Sequence, residues 1–159
     1  MRELLEILEK NARIPLPELA AILQKSEYEI EKDIERLERE KIILSYNTQI
    51  DWEKFGDDTV TAVIEINLTP QREVGFDAIA ERIYRFDEVK TVYLMSGNFD
   101  LLVIIEGKSL KDVANFVATR LSTIDGVTQT RSHFMLKAYK KDGVIIDDEE
   151  HDRRLVVSP

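Results

Sequence analysis

Basic and aromatic side chains recur through residues 25–41 at a spacing that suits one face of a helix. Successive helical residues point about 100° apart, so an inward apolar stripe leaves a defined outward set. That set is Tyr28, Lys32 and Arg39, with Arg36 beside them and Lys25 near the helix start. Ammonium and guanidinium groups bind phosphate, and side chains on such a helix reach the edges of bases. The pattern therefore predicts contact with double-stranded DNA.

Different members of this set are expected to do different things. The predicted groove contacts are Tyr28 and Lys32, and the predicted phosphate contacts are Lys25, Arg36 and Arg39. The alternative is a solvated, charged helix face that holds ion pairs four residues apart, such as Glu35 with Arg39.

The chain has few of the residues that enzymes use as nucleophiles or that proteins use as metal ligands. It contains no cysteine and only two histidines, His133 and His151. Neither a nucleophile with a positioned base nor a metal-ligand set is predicted from these residues. We therefore expect no catalytic residue, no metal and no cofactor, and we interpret His133 as structural.

The overall charge is acidic, with 22 basic and 31 acidic residues and a net charge of −9. Nonspecific DNA binding is disfavoured, because phosphate attraction is electrostatic. We expect weak binding by each head, so that binding depends on dimers or larger assemblies. The longest aliphatic run, Leu101 to Ile105, is too short for a membrane span, and the acidic start does not suit a signal peptide. A cytoplasmic protein with no membrane partner is expected.

The predicted DNA-contacting helix belongs to a helical head, residues 1–51. Apolar spacing predicts a first helix to about Asn11, and Pro17 suits the first turn of a second helix. Ser26, with a glutamate three residues later, predicts a capping box on the third helix and is included among the DNA-binding residues. Residues 42–51 predict a small β-hairpin. Three helices and a hairpin are typical of a winged helix-turn-helix, although a compact three-helix fold without DNA binding is the alternative.

A second domain is predicted at residues 59–141, after a linker at residues 52–58. Alternating and helical periodicities succeed each other in the order β-α-β-β-α-β, which is typical of a ferredoxin-like α+β domain. Gly97 and Asn98 predict a two-residue turn between the second and third strands. Residues 142–159 form a predicted acidic extension.

The third predicted strand is apolar at every position from Leu101 to Ile105. A sheet covered by helices on one face alone would show alternation instead. Both faces are therefore predicted to be buried, the second against another copy of the protein, which indicates a homodimer. The alternative is that the chain's own tail covers that face.

The two domains together resemble the Lrp/AsnC (feast/famine) family of transcription regulators. The segment L-A-x-x-L-x-x-S-x-x-x-I-x-x-x-I-x-x-L, from Leu19 to Leu37, is similar to the family's helix-turn-helix. The segment Y-L-M-S-G-N-F-D-L-L-V, from Tyr93 to Val103, resembles the most characteristic turn of its effector-binding (RAM-type) domain. The resemblance covers residues 2–141.

The resemblance implies a sequence-specific regulator of amino-acid or related metabolism that dimerises and assembles further into tetramers or octamers. It also implies a small effector, often an amino acid, that binds between dimers and shifts assembly or DNA affinity. The matching positions for the effector are Gly97, Asn98, Asp100, Thr130 and Ser132. Glycine lets the backbone approach a ligand, and a carboxylate can pair with an α-amino group. Turn geometry and local capping are the alternative roles for the residues at this turn.

Two departures from the family pattern bear on DNA binding. Lys41 stands where the family usually has glycine after the third helix, and that helix is more acidic than usual. The alternative function is therefore an oligomeric small-molecule-binding module with weak or lost DNA binding.

Overall fold

The change from helical to mixed periodicity corresponds to two units of structure, residues 1–50 and residues 51–159. The computed structural model describes residues 1–69 and 75–146. Most of the predicted acidic extension, residues 147–159, lies outside the described residues. No helix in the described ranges combines the length and the apolar character that crossing a membrane requires.

The first unit contains three helices: α1 (Arg2–Lys10), α2 (Leu16–Leu23) and α3 (Glu27–Arg39). Pro17 lies in the first turn of α2, where its missing backbone donor costs nothing. Five buried side chains from the three helices pack together: Leu4, Leu19, Ala20, Ile30 and Leu37. Because burial of one leucine or isoleucine contributes about 1.5–3 kcal/mol, this cluster decides which face of α3 turns inward.

A residue in the left-handed conformation follows the last turn of both α2 and α3. These are Gln24, at φ 52°, and Lys41, at φ 55°. After α3, the N–H of Lys41 donates to the carbonyl of Glu38 at 3.0 Å, and the N–H of Ile42 donates to that of Leu37 at 2.9 Å. This pair of hydrogen bonds is a Schellman motif, so Lys41 occupies the position at which glycine is favoured.

The prediction of a β-hairpin after α3, which would be the wing of a winged helix-turn-helix, is wrong. Residues 42–51 are all described and contain no strand. The sequence places the turn of this hairpin at Asn47 and Thr48, but neither residue has the positive φ that a two-residue hairpin turn needs. An isolated two-stranded hairpin is also only marginally stable. The segment instead contacts the end of α3, where the Tyr46 hydroxyl donates to the Glu38 carboxylate at 2.8 Å.

The predicted linker, residues 52–58, contains one helical turn, α4 (Trp52–Phe55). The Asp51 carboxylate accepts from the backbone N–H of Lys54 at 2.9 Å and so caps this turn. Gly56 ends the turn at φ 93°. The segment is therefore partly ordered by its own local hydrogen bonds.

The second unit confirms the α+β class with an antiparallel sheet. Its main elements are β1 (Val60–Leu68), α5 (Phe76–Tyr84), β2 (Val89–Leu94), β3 (Leu101–Gly107), α6 (Leu110–Phe116) and β4 (Val127–Phe134). The strands lie in the order β2-β3-β1-β4, and all neighbouring pairs are antiparallel. The helix α6 continues as a π-helical turn, Val117–Leu121. The two central strands are thus the first and third in the chain.

The core of this unit lies between one face of the sheet and the helices. Alternate residues of β1 and β3 are buried there, including Ile64, Ile66 and Val103. They pack with α5 and α6 through side chains such as Ile83 and Val113. The period-two alternation of β1 is therefore explained by one covered face.

From its length, the segment Val127 to Tyr139 predicts a single final strand, but β4 covers only its first part. The strand ends at Phe134, opposite Ala62, where β1 itself is beginning and offers few further partners. A small hairpin follows, made of β5 (Lys140–Lys141) and β6 (Val144–Ile145). Its two turn residues, Asp142 and Gly143, both have positive φ, as a type I′ turn requires. This hairpin crosses the predicted boundary between residues 141 and 142.

Candidate nucleic-acid interface and effector site

The start of α3 is fixed by the predicted capping box. The Glu29 N–H donates to Ser26 Oγ at 3.3 Å, and the Ser26 N–H donates to the Glu29 carboxylate at 2.9 Å. The Ser26 hydroxyl also donates to that carboxylate, and this hydrogen bond lowers the pKa of Glu29. Ser26 therefore sets where α3 begins, and its hydroxyl proton is already engaged.

The predicted groove residues lie together on the exposed side of α3. The Lys32 ammonium lies 4.7 Å from the centre of the Tyr28 ring, a cation–π contact between residues four apart. Tyr28 is 63% exposed. The pair forms an amphipathic projection with one positive charge, which suits a DNA groove.

Two of the predicted phosphate-binding cations form ion pairs with Asp33, an acid to which the sequence analysis assigned no role. Lys25 Nζ lies 2.6 Å from one oxygen of Asp33, and an Arg36 guanidinium nitrogen lies 3.3 Å from the other. The Lys25 ammonium is the main cause that holds the pKa of Asp33 below its ordinary value. Asp33 thus joins residues on both sides of the α3 start and reduces the positive charge of this face.

The third predicted phosphate contact, Arg39, lies exposed in the last turn of α3. The alternative ion pair with Glu35 is not formed, although both residues are described. Asp33 could have been found from its i, i+3 spacing to Arg36. Its contact with Lys25 depends on the turn between α2 and α3, which periodicity does not describe.

The predicted two-residue turn at Gly97 and Asn98 is wrong, because six residues separate β2 from β3. The loop, residues 95–100, is closed by the N–H of Met95, which donates to the carbonyl of Asp100 at 2.8 Å. Gly97 has φ 154°. The backbone N–H of Asp100 donates to the carbonyl of Ile66 at 2.9 Å, which ties the loop to the central strand β1.

The Asp100 carboxylate has a structural partner within the chain. Its Oδ2 accepts a hydrogen bond of 2.7 Å from the backbone N–H of Leu68. Since β3 does not extend beside Leu68, this oxygen replaces the missing strand carbonyl. A carboxylate has several acceptor positions, so Asp100 keeps capacity to bind a further donor.

Asn67 and Thr128 were missed by the sequence interpretation. Asn67 donates through its side-chain amide to the carbonyl of Asn98 at 2.9 Å. Thr128 donates through its hydroxyl to the backbone carbonyl of Asn67 at 3.0 Å, beside an irregularity in the pairing of β1 with β4. These contacts join the loop, β1 and β4 at one end of the sheet. No local sequence signal marks either residue, because both partners are distant in the chain.

The remaining predicted effector residues lie across the sheet from the loop. Ile66 is opposite both Leu101 on β3 and Thr130 on β4, and neighbouring strands are about 4.8 Å apart. Thr130 is therefore roughly 10 Å from the start of β3 and lies 3.3 Å from the Ser122 hydroxyl. Ser132, opposite Ile64, lies two residues beyond Thr130 on β4. Within one chain the structure groups Gly97, Asn98 and Asp100 but does not bring Thr130 or Ser132 against them.

The face of the sheet away from the helices combines apolar and charged side chains. Leu102, Ile104 and Val63 lie on it, and Tyr93 is 56% exposed beside Leu102. Toward β4 the face carries charged groups: the Glu65 carboxylate lies 3.0 Å from Arg131 and 3.1 Å from His133. In the described part of the chain, no cluster of three or more potential metal-ligating side chains occurs.

Comparison with known families bears directly on these two sites. Residues 61–145 match the Lrp/AsnC ligand binding domain. This range contains the loop, the strand β4 and the whole sheet apart from its first residue. The chain belongs to the Lrp/AsnC family.

Relatives in this family are named as transcription regulators. The uncharacterised HTH-type transcriptional regulator YugG of Bacillus subtilis is 50% identical over 99% of this chain and 95% of its own length. The HTH-type transcriptional regulator LrpA of Pyrococcus abyssi is 32% identical over 86% of this chain and 94% of its own length. Both alignments extend well beyond the ligand-binding domain.

Solved structures of the Lrp/AsnC family have the same fold. AsnC of E. coli superposes with a TM-score of 0.69 at 22% identity, over 88% of this chain and 92% of that one. The feast or famine regulatory protein of M. tuberculosis, complexed with L-methionine, has a TM-score of 0.74 at 23% identity, over 89% and 92% of the two chains.

Proposed function

We propose that this Lrp/AsnC family member is a sequence-specific DNA-binding transcription regulator whose assembly or DNA affinity responds to a small effector. The observation that carries the proposal is the exposed α3 face, on which Tyr28 and Lys32 project together from a capped helix. Family membership and the names of the relatives support it.

In this proposal, α2 and α3 act as the helix-turn-helix and α3 enters the major groove. Tyr28 and Lys32 contact bases, while Arg39, Lys25 and Arg36 contact phosphates. Ser26 contributes by fixing the start of the helix. Since each head carries few available cations, stable binding requires two or more heads on one DNA molecule.

The proposed effector is an amino acid or a related metabolite, and the ferredoxin-like RAM-type domain binds it. Gly97, Asn98 and Asp100 provide a loop whose carboxylate can pair with an α-amino group. Thr130 and Ser132 complete the site from a neighbouring copy, since the loop of the same chain does not reach them. The L-methionine held by the M. tuberculosis protein supports an amino acid as the effector class.

The proposed assembly is a homodimer that associates further into tetramers or octamers in the cytoplasm. The sheet face with Leu102, Ile104 and Tyr93 supports it, since a partner copy would remove these apolar side chains from water. Sedimentation velocity tests the assembly. Ile104→Glu should produce monomers, whereas Leu110→Glu, at an exposed helix position, should leave the assembly unchanged.

Fluorescence anisotropy with DNA from the protein's own upstream region tests the DNA-binding proposal. Lys32→Ala should weaken binding by about 1–3 kcal/mol and reduce the discrimination between the specific site and unrelated DNA. The matched control Lys111→Ala removes an exposed lysine from α6 and should change neither quantity. Absence of specific binding at low salt, with and without amino acids, would contradict the proposal.

The second candidate function is an oligomeric small-molecule-binding module with weak or lost DNA binding. The ion pairs of Asp33 with Lys25 and Arg36 favour it, because they reduce the charge available to phosphates. Calorimetric titration with amino acids separates the two functions: effector binding without any DNA binding would support the second.

A further inference from the structure

We propose that Asp33 limits the strength of DNA binding by holding Lys25 and Arg36 in ion pairs that compete with phosphate. The inference rests on the proposed DNA-binding function and deepens it. In this inference Asp33 weakens DNA binding, whereas the neighbouring Lys25 and Arg36 strengthen it.

The geometry places both cations on one carboxylate. Lys25 Nζ lies 2.6 Å from Asp33 Oδ2, and Arg36 Nη2 lies 3.3 Å from Asp33 Oδ1. The two oxygens therefore serve two different cations at once. The carboxylate partly neutralises both cations, so a phosphate gains less Coulomb energy from either one, and it gains still less where it has to displace the carboxylate.

Asp33 can compete with phosphate for the two cations because its carboxylate is less exposed to water than they are. The Asp33 side chain is only 19% exposed, whereas those of Lys25 and Arg36 are 40% and 46% exposed. A carboxylate that is mostly shielded from water interacts more strongly with its cations than a freely solvated one. The shielded acid beneath two more exposed cations thus retains them in the absence of DNA.

The other two cations of α3, which is described over its whole length, have no comparable acid. Lys32 contacts the Tyr28 ring, and Arg39 is exposed at the helix end. Neutralising Asp33 should release two further cations for phosphates and leave these two unchanged. The expected consequences are higher affinity and a steeper dependence on salt.

The test is anisotropy with the full chain and its upstream DNA over a range of salt concentrations. Asp33→Asn should bind about tenfold or more tightly at low salt, and its salt slope should steepen by up to about two. Asp33→Glu, which keeps the charge, should remain close to the wild-type protein. Thermal unfolding of each variant verifies that the head is folded.

The matched control is Glu35→Gln, which removes one exposed acid from α3 without releasing a cation. Its gain in affinity should be smaller than that of Asp33→Asn. In a Lys25→Gln, Arg36→Gln background, Asp33→Asn should lose its advantage, as a coupled set requires. Equal gains from Asp33→Asn and Glu35→Gln, or an advantage that survives in that background, would overturn the inference.

The outcomes separate this inference from the proposed function. If the wild-type protein binds its DNA specifically and Asp33→Asn binds no more tightly, the inference fails and the function stands. If only Asp33→Asn binds, the inference stands and the wild-type protein is not a DNA-binding regulator. If neither binds at low salt, both fail.

Discussion

The backbone N–H of Leu68 donates to the carboxylate of Asp100 across 2.7 Å, and this bond joins the end of β1 to the loop that precedes β3. The loop carries most of the proposed effector residues. A ligand that pairs with the same carboxylate would therefore act directly on the end of the central strand. The Asp100 carboxylate thus joins the proposed site to the sheet, alongside the Asn67 amide, which donates to the carbonyl of Asn98.

Asp100→Ala should destabilise the second unit by about 1–3 kcal/mol, because it leaves the part-buried Leu68 N–H without its acceptor. Asp100→Asn keeps an acceptor oxygen and should cost less. Urea unfolding of the two variants measures the difference. Asp58→Ala removes an exposed carboxylate and serves as the control, with an expected change within about 0.5 kcal/mol. A loss for Asp100→Ala no larger than that control would contradict the structural role.

Lys41→Gly should stabilise the head by about 1 kcal/mol, because the left-handed conformation at φ 55° is costly for any residue with a Cβ. Gln24→Gly, at φ 52°, should behave in the same way. The neighbouring Glu40 has a right-handed conformation, so Glu40→Gly should destabilise instead. The denaturant midpoints of the three variants measure these changes in stability. A shift of the midpoint in the same direction for Lys41→Gly and Glu40→Gly would refute the prediction.

Gly126→Ala should be more damaging than Gly143→Ala. Both glycines have positive φ, 95° and 84°, so both substitutions carry a backbone cost. A Cβ at Gly126 would lie 2.8 Å from Cδ1 of the buried Ile79, whereas nothing lies within 4 Å of one at Gly143. The close contact with Ile79 should destabilise the Gly126→Ala variant by about 1–3 kcal/mol more than the backbone cost that both variants share. Thermal unfolding of the two variants tests this, and equal shifts in Tm would exclude a tight contact with Ile79.

Acid should weaken the head through Glu29 and Asp33. Hydrogen bonding to Ser26 lowers the pKa of Glu29 from 4.5, and the Lys25 ammonium lowers that of Asp33 from 3.8. A lowered pKa in the folded state stabilises it above the unfolded value, and this stabilisation is lost as pH falls through the folded value. Protection of α3 amides from hydrogen exchange should therefore decrease below about pH 4.5.

Glu29→Gln should lose part of that acid dependence, since the titrating group is gone. Glu31→Gln, an exposed position on the same helix, provides the comparison and should retain the full dependence. Identical pH profiles for the wild-type protein and Glu29→Gln would show that the capping box does not contribute to the acid response.

Local patterns in the sequence determined the features that depend on near neighbours. The capping box of Ser26 and Glu29 needs residues three apart, and the inward stripe of α3 follows from helical spacing, so both were predicted correctly. The order of strands and helices and the α+β class followed from changes of period. The alternation of β1 likewise indicated which of its residues are buried.

Only the tertiary structure decided the contacts between residues that are distant in the chain or separated by a turn. The bond from Leu68 to Asp100 spans 32 positions and lies at the six-residue loop that takes the place of the expected turn. Tyr46 donates to Glu38 in a segment where a hairpin was predicted. Lys25 meets Asp33 because the turn at Gln24 directs it toward α3. Periodicity reports the direction of a side chain relative to its own element, whereas a hydrogen bond or ion pair depends on where a second element places the partner.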